Sequence, residues 1–355
     1  MSVTIKEIAR LTGLSVPTVG NVLGRSAARY SAETRRRVRE AARELGYRPN
    51  SSARAMRQGR TGCAALVLSR SRQQTHSYIP AGLLDGLDDE LALHNMHLTV
   101  SRLSDEELSK DDFVPKVLRE HMADGMIVNY THGIPPTMLD LIHAHHTPAV
   151  WLNAKLKEDC AYPDDEGAAR SVTSELLKLG HRRIALVHLV SRLNLTGAFA
   201  ENKAQMHYSA LDRAAGYAAV MLDAGLQPQV LSHERYIEQP EHMEACRALL
   251  SGAGGAKRPT AVLAYSEPEA MSLIVAARSL GLEIPRDLTI AVFAPLGMWI
   301  GGFLMSAAAI PTQEMGRRAV QMLLRKLQEP DVVCDPEPIP YTLAGGGTVA
   351  APKTE

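Results

Sequence analysis

Thr4-Ile5-Lys6-Glu7-Ile8-Ala9-Arg10-Leu11-Thr12-Gly13-Leu14-Ser15-Val16-Pro17-Thr18-Val19 reads as two short helices around a glycine turn. Thr4 can cap the first helix, with Glu7 reaching back three residues later in a capping box. Ile5, Ile8, Ala9 and Leu11 give that helix its apolar spacing, and Gly13 can take the left-handed conformation that ends it. Ser15 can cap the second helix, and Pro17 is tolerated in its first turn, where an amide hydrogen is unpaired anyway. Val19, Val22 and Leu23 form its inward stripe. Ser31 caps a third helix that turns Val38, Ala41, Ala42 and Leu45 inward and stops at Gly46. Its outer face carries Arg35, Arg36, Arg39 and Arg43, suited to the edge of a phosphate backbone. Helix, three-residue glycine turn and second helix make a helix-turn-helix.

Charge points the same way. The 355-residue chain has a formal net charge of +0, yet residues 1–60 hold 13 Lys/Arg against 4 Asp/Glu, and the other residues carry the compensating acidic excess. Such asymmetry suggests a nucleic-acid-binding head on an acidic body. A solvated basic helix would give the same charge, so local structure has to decide. Apolar residues at 45% and charged residues at 22% fit a globular protein long enough for more than one core. No apolar run approaches the roughly 18 residues of a membrane span, and the N-terminus has no signal-peptide pattern. The expectation is a soluble, cytoplasmic protein. Cys63, Cys160, Cys246 and Cys334 are too scattered for a zinc knuckle or a disulfide scaffold.

Thr4-Ile5-Lys6-Glu7-Ile8-Ala9, Gly13-Leu14-Ser15-Val16-Pro17-Thr18-Val19 and Leu45-Gly46-Tyr47-Arg48-Pro49-Asn50 together resemble the lactose/galactose repressor (LacI) family. The resemblance implies that the second helix enters the major groove. Val16 and Pro17 can offer bases only apolar contact, whereas Asn21 can bond an adenine bidentately or touch only the backbone. Gly20-Asn21 stands where family members often carry Ser-Arg. The resemblance also casts Thr4, Ser15, Thr18, Arg29, Tyr47, Asn50 and Ala53 as DNA contacts. Asn50 to Arg57 spans only two turns, too short for a stable isolated helix, and is expected to fold on DNA, where Arg54 and Arg57 find phosphates. In the family this hinge helix wedges a large apolar residue into the minor groove, and Met56 holds the matching place. The division is a head at 1–48, a hinge at 49–60 and a body at 61–355.

Beyond residue 60, apolar strands at 63–68, 98–100, 125–128, 149–152, 184–187, 261–264 and 288–292 alternate with helical stretches such as 167–179, 211–224 and 269–280. This is an α/β pattern of parallel sheets covered by helices, and so many strands suggest two lobes. Asp164-Asp165-Glu166-Gly167, Leu179-Gly180-His181-Arg182-Arg183-Ile184, Arg213-Ala214-Ala215-Gly216-Tyr217, Arg258-Pro259-Thr260 and Gln313-Glu314-Met315-Gly316 continue the family resemblance. It implies a two-lobed body like the periplasmic sugar-binding proteins, with the chain crossing three times. The lobes fall at about 61–160 plus 294–325 and 161–293 plus 326–355. The family places a small effector in the cleft between them. Arg213 fits an effector-gripping arginine, Tyr78 an aromatic after the first strand, and Asn129, Asn153 and Ser266 polar groups at strand ends. Ser69 and Ala294 complete the set. Ala294 replaces a usual aspartate and Tyr265-Ser266-Glu267 a usual Ala-Asn-Asp. Loss of that acid beside Arg213 argues for a more positive cleft, hence for a sugar acid ahead of a neutral sugar.

Other chemistries find no foothold. His143, His145 and His146 lack a recognised metal-ligand spacing, and the glycine runs at 252–255 and 345–347 lack the lysine and hydroxyl of a phosphate loop. Ser69-Arg70-Ser71-Arg72 after the first strand is not the glycine turn of a dinucleotide site. No nucleophile motif appears, so no catalytic residue, metal or cofactor is expected. The expected partners are double-stranded operator DNA, a small effector and a second copy of the chain, with no membrane. A solute receptor sharing this body fold is the alternative that the basic head argues against.

Overall fold

The computed structural model describes residues 3–24, 27–49, 55, 59–69, 79–103, 115–120, 122–129, 136–188, 207–232, 239–252 and 257–353. It divides into two compact units, Met1–Gly62 and Cys63–Glu355.

In the first unit, helices α1 (Ile5–Thr12), α2 (Val16–Leu23) and α3 (Ala32–Glu44) surround a small core of Ile8, Ala9, Val19, Val22, Val38, Ala41 and Ala42. A 3-10 turn at Ala27–Arg29 joins α2 to α3. Gly13, at φ 60, ends α1 in the left-handed region, a conformation a side chain would strain. Leu11 departs from the expected stripe: it is 56% exposed, and Thr12 turns inward instead. The Thr12 hydroxyl donates to the Ile8 carbonyl at 2.7 Å, so its burial leaves no polar atom unpaired.

The second unit contains two six-stranded sheets and a small antiparallel pair, β10 (Trp299–Ile300) and β11 (Phe303–Leu304). The first has the order β13 (Glu337–Ile339), β5 (Cys160–Pro163), β4 (Ala149–Leu152), β3 (Gly125–Asn129), β1 (Cys63–Ser69) and β2 (His97–Leu103), parallel throughout. The second has the order β14 (Thr342–Ala344), β12 (Ser306–Ala309), β9 (Thr289–Ala294), β8 (Ala261–Ala264), β6 (Ile184–His188) and β7 (Gln229–Ser232). Only its β12–β14 pair is antiparallel. Strands β3, β6, β8 and β9 are buried at every residue, which is why they read as unbroken apolar runs. Helices α4 (Ala81–Leu93) and α10 (Thr312–Gln328) cover one face of the first sheet, where Leu66, Leu68, Ile127 and Val150 meet Leu83, Leu87 and Leu323. Helix α5 (Pro136–Ala144) supplies Met138 and Ile142 to the other face. Around the second sheet, α8 (Gln239–Ser251) and α9 (Glu267–Ser279) pack on one face, and α6 (Asp165–Lys178) and α7 (Tyr208–Asp223) on the other.

The chain passes between lobes at 163–165, 309–312 and 339–342. This differs from the sequence division in three places. Residues 161–163 stay with the first sheet, where Ala161 pairs with Leu152. Residues 294–309 stay with the second sheet, where Ser306 pairs with Ala291. Residues 326–339 remain with the first, where Glu337 pairs with Ala161. Strands of three or four residues carry too little periodicity to announce which sheet they join. Backbones touch where α4 crosses α10: a Cβ on Gly86 would stand 2.0 Å from the Gln313 carbonyl oxygen.

None of the four cysteines forms a disulfide; Cys63 is half-buried and Cys160, Cys246 and Cys334 are buried. Burial, reinforced by Glu269, pushes the Cys246 thiol up to about 12. At pH 8 a thiol reagent is therefore expected to label Cys63 first, and the other three only on unfolding, because the thiolate is the reactive form. Fast labelling of Cys246 in the native protein, read by peptide mass, would contradict this packing.

Candidate nucleic-acid interface and effector cleft

In the head, several candidate residues have structural partners of their own. The Thr4 amide and hydroxyl donate to the Glu7 carboxylate at 2.7 and 3.0 Å, and these bonds hold the Glu7 carboxyl below its usual range. Ser15 Oγ accepts the Thr18 amide at 3.2 Å, capping α2. Val16, Pro17 and Asn21 are exposed on α2, and Thr18 is half-buried. Asn21 Nδ2 donates to the Tyr30 hydroxyl at 3.0 Å, which leaves its carbonyl oxygen and second N–H for another partner. Arg29 is exposed at the end of the 3-10 turn, while Tyr47 packs against the head core. On α3, Arg36, Arg37, Arg39 and Arg43 are exposed, and Arg37 also donates to the Thr12 carbonyl, tying α3 to the end of α1. Asn50, Ala53, Arg54, Met56 and Arg57 lie outside the described residues.

In the body, a cleft of about 1060 Å³ opens between the lobes, walled by Ile79 and Pro80 from the first and by Arg213, Ser266, Phe293 and Ala294 from the second. Of the sequence candidates, Arg213, Ser266 and Ala294 line it. Arg213 is only 6% exposed. Its Nε donates to Asp165 Oδ1 at 2.6 Å, Nη1 to the Tyr265 carbonyl at 2.7 Å, and Nη2 to the Tyr341 hydroxyl at 3.0 Å. The guanidinium carbon packs on two rings, 4.2 Å from the Phe293 centroid and 4.6 Å from that of Tyr265. Burial acts to lower its pKa but is outweighed, chiefly by Asp165, so the group is held more firmly protonated than usual. Burial also raises the phenols of Tyr265 and Tyr341. Asp165 and Tyr341 sit at two of the interlobe crossings, and the Tyr341 hydroxyl donates to Asp165 Oδ1 at 2.6 Å.

This geometry corrects the charge argument built on Ala294. The acid absent from β9 is offset by one from α6, and the Arg213 charge is neutralised inside the protein. Sequence reasoning quoted Asp165 within a motif without giving it a task, and it missed Tyr341. The remainder of the Arg213 motif has a packing explanation. A Cβ on Gly216 would stand 2.4 Å from the Glu166 carbonyl oxygen, so only glycine lets α6 and α7 approach. The Tyr217 hydroxyl donates to the Ile184 carbonyl at 2.8 Å, anchoring α7 to β6.

Asn129 is buried at the end of β3, and its Oδ1 has no hydrogen-bond partner. It is not part of the cleft wall described above, and neither is Asn153. Asn153 follows β4 in the left-handed region at φ 56 and bridges the lobes. Its carbonyl accepts from His207 Nε2 at 3.0 Å, and its side-chain oxygen accepts from the Tyr208 hydroxyl at 3.3 Å. Lys155 and Asp212 add an ion pair of 2.7 Å beside it. No spacing in the sequence marks His207, Tyr208 or Asp212. Ser69 ends β1, and Tyr78 lies outside the described residues. His143, His145 and His146 are exposed at and just beyond the end of α5.

A helix-turn-helix head with an arginine-bearing third helix, carried on a two-lobed parallel-sheet body with a cleft, defines a DNA-binding regulator with a ligand-binding type of body. Residues 4–50 match the family of bacterial regulatory proteins, lacI family, and residues 173–349 match the periplasmic binding protein-like domain. The chain belongs to the lacI family and is a DNA-binding transcriptional regulator. It is similar to the HTH-type transcriptional regulator RegA of Clostridium saccharobutylicum, 26% identical over 95% of this chain and 98% of that one. It is also similar to the catabolite control protein A of Staphylococcus xylosus, 26% identical over 94% of each. These relatives are regulators rather than enzymes. The fold matches the lac repressor dimer bound to operator and the anti-inducer ONPF, with a TM-score of 0.74 at 20% identity over 99% of this chain and 100% of that one. A complex of the regulator CelR with cellobiose matches with a TM-score of 0.62 at 22% identity, over 98% of this chain and all of that one. Among the described residues, no helix is long and apolar enough to cross a membrane.

Proposed function

We propose that the chain is a repressor that binds a near-palindromic operator as a dimer, under control of a small effector of the sugar type in the interlobe cleft. The observation that carries this reading is the head: α2 leaves Val16, Pro17 and Asn21 exposed beside solvent-facing arginines on α3. One such helix reads only half a site, so two copies on a two-fold sequence are required. Exposed apolar side chains on the body, among them Val100, Val275 and Trp299, are available for that self-association. The operator-bound lac repressor dimer and the CelR–cellobiose complex, which match this fold, support the same arrangement. Residues 49–60 serve as the hinge, with Met56 as the wedge.

A gel shift against the DNA upstream of its own gene tests the reading; no retardation of that DNA, or specific binding by a monomer, would sink it. Base reading is tested residue by residue. Asn21→Ala should lose about 1–3 kcal/mol at one half-site position and relax the preference there. Arg36→Ala should weaken all sequences alike. A uniform loss for Asn21→Ala across single-base operator variants would make it a backbone contact.

A further inference from the structure

Among the described residues, the wall of the cleft is largely apolar. Phe293, Ala294, Pro295, Leu296, Met298 and Ile310 make its apolar part. Five of its polar members, Arg213, Tyr265, Ser266, Glu314 and Arg317, are bonded within the protein, and Glu267, Thr312, Gln313 and Thr342 remain for a ligand's few polar groups. Three donors of Arg213 are taken, as described, and two rings pack against its guanidinium. The Ser266 hydroxyl donates to Glu269 at 2.5 Å, and the Tyr265 hydroxyl is bonded to Ser209 at 2.7 Å. Glu314 is engaged by Arg317 and by Arg318. Leu296, 72% exposed, extends the apolar surface. A free hexose turns hydroxyls outward around much of its ring, and each one left unpaired against such a wall loses its bonds to water without replacement. A carboxylate gains little from an arginine whose charge Asp165 already neutralises.

Resting on the effector reading above, we propose that the ligand is a sugar derivative that presents a hydroxyl-poor face to this wall. That face is deoxygenated, alkylated, acylated or aryl-substituted, and the ligand is not a free hexose or hexuronate. An apolar body with a few oriented polar contacts is what such a cleft selects.

Calorimetric titration of the full chain with matched pairs tests the proposal: glucose and phenyl β-glucoside, galactose and phenyl β-galactoside, galactose and 6-deoxygalactose, mannose and 6-deoxymannose, with glucuronate as the acid. In at least one pair the substituted or deoxygenated member should bind about 10- to 100-fold more tightly, the range a single apolar contact gives. Ala294→Asp should narrow that gap by adding a hydroxyl acceptor. Leu296→Asn, at an exposed site, makes the same comparison if the buried carboxylate prevents folding. Equal or tighter binding of the free sugar in every pair that binds, or no binding by any derivative, overturns the proposal. Operator binding is measured separately by gel shift. Its failure overturns the regulator reading, while the paired affinities alone decide the chemistry of the cleft.

Discussion

Arg213→Ala is expected to destabilise the body by about 3–5 kcal/mol, because it leaves a buried carboxylate uncompensated. Asp165 is 1% exposed, and its Oδ2 has no hydrogen-bond partner. Without the guanidinium, only the Tyr341 hydroxyl remains of the Oδ1 contacts described here. The loss should appear as a lower midpoint in urea unfolding followed by far-UV circular dichroism. Adding Asp165→Asn to the alanine variant should recover part of it, since the charge is removed along with its partner. A variant that unfolds at the parental midpoint would show that the Arg213 network contributes nothing to the fold and is reserved for ligand. The same experiment separates two tasks that a single arginine can perform: gripping an effector and joining the interlobe crossings to the second lobe.

Operator affinity should fall about 10³- to 10⁵-fold between 50 and 200 mM salt, if about three to five cations per head reach phosphates and a dimer therefore makes roughly six to ten contacts. Besides Arg37, which is exposed but bonded to the Thr12 carbonyl, residues 1–48 of the described head expose Arg10, Arg29, Arg36, Arg39, Arg43 and Arg48. Arg36 lies 3.9 Å from Glu40 with both side chains largely exposed, a contact too weak to withhold it from DNA. Fluorescence anisotropy with a labelled operator, repeated at several salt concentrations, gives the slope directly. A change of less than about tenfold across that interval would mean that few of these cations touch phosphate.

How far the sequence reaches depends on the range of the interaction. The capping box of Thr4 and Glu7, the Ser15 and Ser31 caps and the Gly13 turn span three or four residues, and all appear where the local pattern put them. Leu11 shows the limit even there, because helical spacing could not tell a leucine from a threonine that bonds its own backbone.

The sequence alone determined the head, its charge, the α/β alternation of the body and the motifs that mark the family. Those features rest on caps, glycine turns and buried apolar runs, whose physics is local. Only the tertiary structure decided which sheet the short strands join, that Asn153 bridges the lobes and that Arg213 is committed to Asp165. Tyr341 meets Asp165 across 176 residues of chain. Periodicity reports which face of an element is apolar, but the partner of a buried charge is chosen by the packing that brings distant elements together.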